Sequence, residues 1–254
     1  MTKTTGKQRL DLLLVERGLA ESRNRAQALI MAGRVFSGER RLDKAGLMLP
    51  VDAALETRGR EHPWVSRGGV KLAHGLRNFA IDPAGARCLD IGASTGGFTD
   101  VLLHGGATLV HAVDVGHGQL AWSLRNDHRV VVHERTNARY LDRAQVPDAV
   151  DLIVCDASFI GLRTILPAPM ALAGPGARLI ALIKPQFEVG PGRVGKGGVV
   201  RDATLHAEVC DGIAEWLAAR PGWQVLGVTA SPITGPEGNV EFLIGARRDD
   251  RADH

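Results

Sequence analysis

The spacing of apolar positions changes character along the chain. From Arg9 to Gly18, Leu10, Leu13, Leu14 and Arg17 recur near helical spacing, and Gly18 suits the cap that ends the helix. Ser22 suits the N-cap of a second helix, with Ala26, Leu29 and Ile30 on its inner face and Arg23 and Arg25 on its outer face. Gly33 stops that helix, and Arg34 to Arg40 reads as a strand and turn. Residues 58–66 break both periodicities, and Pro63 forbids a continuing helix. The pattern therefore predicts a small domain over 1–60, a linker over 61–66, a larger domain over 67–247 and a charged, disordered tail over 248–254.

Beyond residue 86, short apolar runs alternate with helical stretches. Strands are expected over 86–91, 108–113, 130–134, 151–155, 178–183, 223–230 and 240–246, with a helix over 203–219. That alternation predicts an α/β domain with a mostly parallel, Rossmann-like sheet and helices on both faces. Ligands of such sheets bind at the carboxyl ends of the strands. Asp90, Asp114, Asp156 and Lys184 all fall at such ends, so one edge of the sheet should carry the chemistry.

Composition narrows the classes. The 254 residues are 44% hydrophobic but 4% aromatic, which asks for an aliphatic core. No run approaches the ~18 apolar residues of a membrane span, and Met1 to Lys7 lacks the apolar segment of a secretory signal. Cys88, Cys155 and Cys210 are far apart and the nine histidines show no ligand spacing, so buried thiols in a reducing, cytoplasmic setting and no metal are expected. Residues 1–62 hold 12 Lys/Arg against 8 Asp/Glu, a net +4, while the remainder is −1. The positive excess sits where a polyanion would dock.

Asp90-Ile91-Gly92-Ala93-Ser94-Thr95-Gly96-Gly97 forms a glycine-rich turn after a strand. A dinucleotide fingerprint wants G-x-G-x-x-G, but Ser94 stands where its second glycine would be, and glycines return only at 96 and 97. S-adenosylmethionine has no pyrophosphate to seat. It needs close backbone approach at Gly92, Gly96 and Gly97, and an acid for the ribose hydroxyls, which Asp114 supplies. Ser94, Phe98 and Asn137 join this cofactor set, with Asn137 toward the adenine and Asp90 ordering the turn and the methionine end. After the fourth strand the chain reads Asp156-Ala157-Ser158-Phe159, unlike the Pro-Pro-aromatic turn of amino-group methylases. Cys155 neighbours Asp156, and strand neighbours point to opposite faces, so a cysteine nucleophile for pyrimidine carbon is not expected in the same site.

Two resemblances cover most of the chain. Arg9-Leu10-Asp11, Gly18-Leu19, Ser22-Arg23, Ala26, Leu29-Ile30 and Gly33-Arg34-Val35 resemble the small α+β RNA-binding fold of ribosomal protein S-four. That implies RNA contacts from Arg9, Arg23, Arg25, Arg34 and Lys44, reading backbone shape. The set Lys71, Asp156, Lys184 and Glu241 around such a glycine turn resembles the FtsJ/RrmJ-type ribose 2′-O-methyltransferases. Val65 to Leu72, Lys184-Pro185-Gln186-Phe187-Glu188 and Val194 to Asp202 narrow the resemblance to the TlyA family over roughly residues 9–246. Where that family often has Arg-x-Trp in the linker, this chain has His62-Pro63-Trp64.

The family is linked to 2′-O-methylation of cytidines in small- and large-subunit ribosomal RNA and to capreomycin susceptibility, and it carries an older haemolysin label. The resemblance implies that Lys184 deprotonates or steers the 2′-hydroxyl and that Asp156 orients Lys184. Lys71 and Glu241 would fix the network and the target ribose. Arg135 and Arg139 would hold phosphates, and residues 188–202, with Arg193, Lys196 and Arg201, would form a mobile basic loop beside the site. The implied partners are ribosomal RNA or ribosomal subunits, with neither DNA nor membrane. The rival readings are a catalytically silent ribosome-assembly factor, which should have lost one of the four polar residues, and a haemolysin, which should show an amphipathic or spanning segment.

Overall fold

The helix-period and strand-period segments fold into two units, divided between Pro63 and Trp64 in the computed structural model. It describes residues 6–20, 22–58, 62–190, 192–235 and 238–249, without the Lys196 side chain. In the first unit β1 (Lys7–Arg9), α1 (Leu10–Glu16), α2 (Arg23–Met31), β2 (Val35–Ser37), β3 (Arg40–Arg41), β4 (Met48–Pro50) and β5 (Glu56–Thr57) follow in order. Leu10, Leu14, Ala26, Ile30 and Val35 close a small core, as the helical spacing requires. Ser22 caps α2 by accepting from the Arg25 backbone N–H at 3.2 Å.

Asp11 organises this unit's charged face. Buried on α1, it accepts from Arg9 Nε at 3.0 Å, Arg23 Nε at 2.9 Å and Gln27 Nε2 at 3.0 Å. The Arg9 hydrogen bond is the largest cause holding its carboxyl well below the usual range, with Gln27 and Arg23 adding to it and burial opposing. One acid thus ties β1, α1 and α2 together. Asp11→Ala is expected to destabilise this unit by about 2 kcal/mol, the scale of losing charge-assisted hydrogen bonds. Urea unfolding checks this, and an unchanged midpoint would contradict it.

The second unit begins with α3 (Gly68–Asn78). Then come β6 (Arg87–Ile91), α4 (Gly97–His104), β7 (Leu109–Val113), α5 (Trp122–Arg125), β8 (Val130–His133) and β9 (Val150–Cys155). It continues through α6 (Leu162–Ile165), α7 (Pro167–Ala171), β10 (Ala173–Ile183), α8 (Pro185–Glu188), α9 (Ala203–Ala218), β11 (Trp223–Ala230) and β12 (Phe242–Arg248). Among the described residues the strands form one sheet in the order β11-β12-β10-β9-β6-β7-β8. Only β12 runs antiparallel to its neighbours β10 and β11; the other pairings are parallel.

Alternation along the strands sorts side chains between two layers. Cys88, Leu152, Val154, Ile180, Leu182 and Leu243 face Leu72 and Leu76 of α3 and Val101 and Leu102 of α4. Leu89, Ile153, Cys155, Leu179 and Ile183 face the layer of α6, α7 and α9. All seven expected strands form, β10 extended at its start and β12 shifted to Phe242–Arg248 from the expected 240–246. β10 begins at Ala173 rather than 178, its register shifting between Ala173 and Arg178 where Gly174-Pro175-Gly176 interrupts the ladder. β12 runs on to Arg248, paired with Trp223, so the expected tail cannot start at 248; residues 250–254 lie outside the described ones.

At the far edge, His111 Nδ1 lies 3.0 Å from His133 Nε2, the rings stacked with centroids 5.2 Å apart. Burial holds both imidazoles below their ordinary value; at His111 the neighbouring His133 adds to this and Asp148 opposes it. The unfolded chain takes up protons near pH ~6.5, which the folded pair resists. Stability from this pair is therefore complete above that pH and declines as pH falls below it. The urea midpoint should drop between neutral and mildly acidic pH, and His133→Gln should reduce the drop. A drop unaltered by that substitution would contradict the assignment.

Candidate active site

The period-2 alternation that builds the sheet also assembles the site. Asp156 continues the face of Val154, Lys184 that of Leu182, and Glu241 that of Leu243, so all three emerge on the α3 side. Antiparallel β12 starts at the edge where β9 and β10 end, with Ile183 opposite Phe242. α3 then brings Lys71 down from above. It approaches closely because Gly75 has no Cβ; one there would lie 3.1 Å from Ile180 and Leu243.

Three ion pairs result. Lys71 Nζ is 2.5 Å from Glu241 Oε2 and 3.8 Å from Asp156 Oδ2. Lys184 Nζ is 2.6 Å from Asp156 Oδ1 and donates to Ser158 Oγ at 2.9 Å. Lys71, Lys184 and Glu241 are buried, whereas Asp156 is half-buried. Asp156 therefore bridges the two lysines and is the member of the set that reaches toward solvent. Cys155 takes the opposite face; burial pushes its thiol up to about 12, which removes it as a nucleophile.

Beside this network a cavity of about 450 Å³ opens at the carboxyl ends of β6, β7 and β9. Gly92, Ser94, Asp114, Asn137 and Asp156 are among its walls. Gly92 has φ +79°, and a Cβ there would sit 2.9 Å from the Asp156 carbonyl oxygen, so this turn admits only glycine. Ser94 is held at φ +48° with its N–H donating to Asp114 Oδ2 at 2.8 Å. Asn137 receives the Arg139 N–H at 3.1 Å and so keeps the next turn folded against the cavity.

Four of the expected cofactor residues stand elsewhere. Asp90 is buried behind the turn, its Oδ2 accepting from Thr99 Oγ1 of α4 at 2.7 Å. Burial above all, with the charges of Asp156 and Asp114, pushes it up to about 7 despite that bond, and its other oxygen has no hydrogen-bond partner. Gly96, Gly97 and Phe98 serve packing rather than the cavity wall. A Cβ on Gly96 would strike Leu120 and Leu124, and one on Gly97 would strike Ser66 and the backbone of Gly69. Phe98 is buried among the apolar side chains of the α3–α4 layer.

The basic residues divide likewise. Arg9 and Arg23 share Asp11, Arg25 and Lys44 are exposed, and Arg34 is half-buried. Arg135 is exposed at φ +53°, and Arg139 lies on the cavity wall. The expected basic loop is tied at both ends. Arg193 pairs with Glu208, while Val200 N–H donates to Asn239 Oδ1 at 3.2 Å and its carbonyl oxygen lies 2.8 Å from His206 Nε2. Trp64 packs edge-on to His104 with centroids 5.4 Å apart, and Val65 N–H donates to Asp100 Oδ2 at 2.8 Å.

Two site residues carried no role in the sequence reading. Ser158 binds Lys184, and Phe159 stands 90% exposed on the cavity wall with φ +64°, against Phe187. The available signal is an aromatic closing the Asp156-Ala157-Ser158-Phe159 segment after the fourth strand. Among the described residues no helix is long and apolar enough to cross a membrane, and no three His, Cys, Asp or Glu side chains cluster to hold a metal ion.

Comparison with known proteins agrees with this geometry. Residues 64–248 match the FtsJ-like methyltransferase family and residues 8–54 the S4 domain. The chain is 52% identical over 251 residues to the 16S/23S rRNA (cytidine-2'-O)-methyltransferase TlyA of Mycobacterium tuberculosis, covering 96% of this chain and 91% of that protein. It is 50% identical over 242 residues to a Bacillus subtilis protein named "Putative rRNA methyltransferase YqxC", covering 95% and 86%. A solved structure, "Putative hemolysin from Streptococcus thermophilus", superposes with TM-score 0.76 at 40% identity, covering 97% of this chain and 90% of that one. The chain belongs to the FtsJ-like methyltransferase family, within its TlyA group, and carries an S4 domain ahead of the catalytic fold.

Proposed function

We propose that this protein methylates the ribose 2′-hydroxyl of cytidine in small- or large-subunit ribosomal RNA, with S-adenosylmethionine as donor. The observation that carries the reading is the doubled ion pair, Lys71–Glu241 and Lys184–Asp156, joined through Asp156 to the wall of the cavity. The relatives' names supply the target class.

The residues present fit the donor. Gly92 puts bare backbone on the cavity wall, Asp114 offers carboxylate oxygens to hydroxyls, and Asn137 lines the same cavity. Asp114 and Asp156 put carboxylates on the cavity wall, a sign that suits a cation. When bound, S-adenosylmethionine supplies a methyl group on a positively charged sulfur. The protein's part is to hold the ribose oxygen in line and to manage its proton. Lys184, gripped by Asp156, takes or steers that proton. Lys71 and Glu241 lock Asp156 from behind. Phe159 offers an exposed face on which an unstacked base can lie.

Arg25, Arg34 and Lys44, with the Asp11-bound pair Arg9 and Arg23, give the first unit its RNA-docking face, and Arg135 and Arg139 meet phosphates near the cavity. DNA lacks the 2′-oxygen and is not a substrate. The setting is the cytoplasm, where ribosomal subunits are met, and the chemistry needs no metal. A silent assembly factor would gain nothing from four buried or half-buried charges whose desolvation costs stability.

Labelled methyl groups offered on S-adenosylmethionine, with unmodified small and large ribosomal subunits, test the proposal. Label entering the RNA of either subunit is expected. Label entering neither, with cofactor binding intact, would overturn it.

A further inference from the structure

The buried charges of the site form a graded series. Glu241 is 1% exposed, Lys71 and Lys184 are each 6% exposed, Asp156 is half-buried, and Ser158 is exposed on the cavity wall. Lys184 stands at the start of α8 with φ −116° and ψ 98°, directly before Pro185. Proline disfavours the helical conformation of the residue before it and so fixes where the Lys184 stem begins. The head needs its own fixing, since an ammonium carries three rotatable donors. Asp156 Oδ1 at 2.6 Å holds the charge as an ion pair without hydrogen-bond geometry, whereas Ser158 Oγ accepts a hydrogen bond from Nζ at 2.9 Å. One directed hydrogen bond fixes the rotation about Cε–Nζ, and with it the two remaining N–H directions.

We infer that Ser158 is a positioning residue for the methyl transfer, acting through Lys184. This rests on the function proposed above and deepens it. Asp156 alone leaves the ammonium free to rotate about a single contact. Ser158, two residues further along, adds the directed hydrogen bond and so sets how Nζ is turned for the ribose hydroxyl. As an acceptor toward Lys184, the serine keeps its own O–H free to donate. A serine hydroxyl does not titrate in this range, so the role is geometric.

Ser158→Ala and Ser158→Thr test this, with steady-state methyl transfer to the ribosomal substrate read beside wild type and Lys184→Ala. For Ser158→Ala, kcat is expected to fall about 10-fold or more, the scale of misplacing a proton-handling group. KM for S-adenosylmethionine and for RNA should each stay within about twofold, since binding is not the lesion. Ser158→Thr keeps the hydroxyl and should recover most of kcat. An unchanged kcat in Ser158→Ala would overturn the inference while leaving the proposed function standing. So would a raised RNA KM at full kcat, which would mark a direct RNA contact, or failure of threonine to rescue in a folded protein. A wild-type protein that transfers no methyl group overturns the function and this role with it.

Discussion

Lys184→Ala is expected to lower kcat for methyl transfer by at least about 10³-fold, within the range for removing a general acid–base group, while cofactor affinity stays near wild type. The separation follows from geometry. Lys184 lies against Asp156 and Ser158 and is not part of the cavity wall formed by Gly92, Ser94, Asp114 and Asn137. Its loss should also be tolerated by the fold. Asp156 is half-buried and keeps Lys71 Nζ at 3.8 Å, so no fully buried charge is stranded. Equilibrium binding of S-adenosylmethionine and single-turnover transfer check both halves. Retained turnover would remove Lys184 from the chemistry, and lost cofactor binding would place it in the wrong role.

Glu241→Ala is expected to be the most destabilising single change at the site, by about 3–5 kcal/mol, the range for stranding one member of a buried pair. Glu241 is 1% exposed and its Oε2 meets Lys71 Nζ at 2.5 Å. The carboxylate fits because Gly235 has no side chain to occupy its place. Removing it leaves Lys71 with only the distant oxygen of Asp156. The double variant Lys71→Met, Glu241→Met replaces both charges by apolar chains of similar length and should return to within about 1–2 kcal/mol of wild type. It should still be inactive, because Asp156 has lost its support. Urea unfolding and methyl transfer, measured on the same preparations, distinguish a structural pair from a catalytic one. A stable Glu241→Ala protein, or an active double variant, would contradict the assignment.

Much of this site was legible in the chain for a physical reason. Strands buried on both faces read as continuous apolar runs, so the polar residues that end them stand out. Asp156, Lys184 and Glu241 each terminate or precede such a run, and side-chain alternation then forces them onto one face. The absence of a side chain at Gly92 was also readable, because a turn that tight after a strand admits nothing larger.

Other features were hidden. α3 starts at Gly68-Gly69 with no side-chain cap, so local sequence gave no sign that Lys71 rides on a helix. Its pairing with Glu241 spans 170 positions and exists only because β12 runs antiparallel. The packing of Gly96, Gly97 and Phe98 was hidden because a glycine-rich turn does not reveal which glycines admit a neighbouring helix or side chain. That Arg9 and Arg23 share one partner was hidden as well, since nothing in the spacing announces that buried Asp11 holds both.

The most direct test of the central claim is the chemical position of the transferred methyl group. Labelled ribosomal RNA from the transfer reaction is hydrolysed in alkali, which cannot cleave the chain beside a methylated 2′-oxygen. The expected result is label in an alkali-resistant dinucleotide whose methyl group sits on the cytidine ribose, absent with Lys184→Ala. Label on a base, or label that persists in Lys184→Ala, would contradict the account.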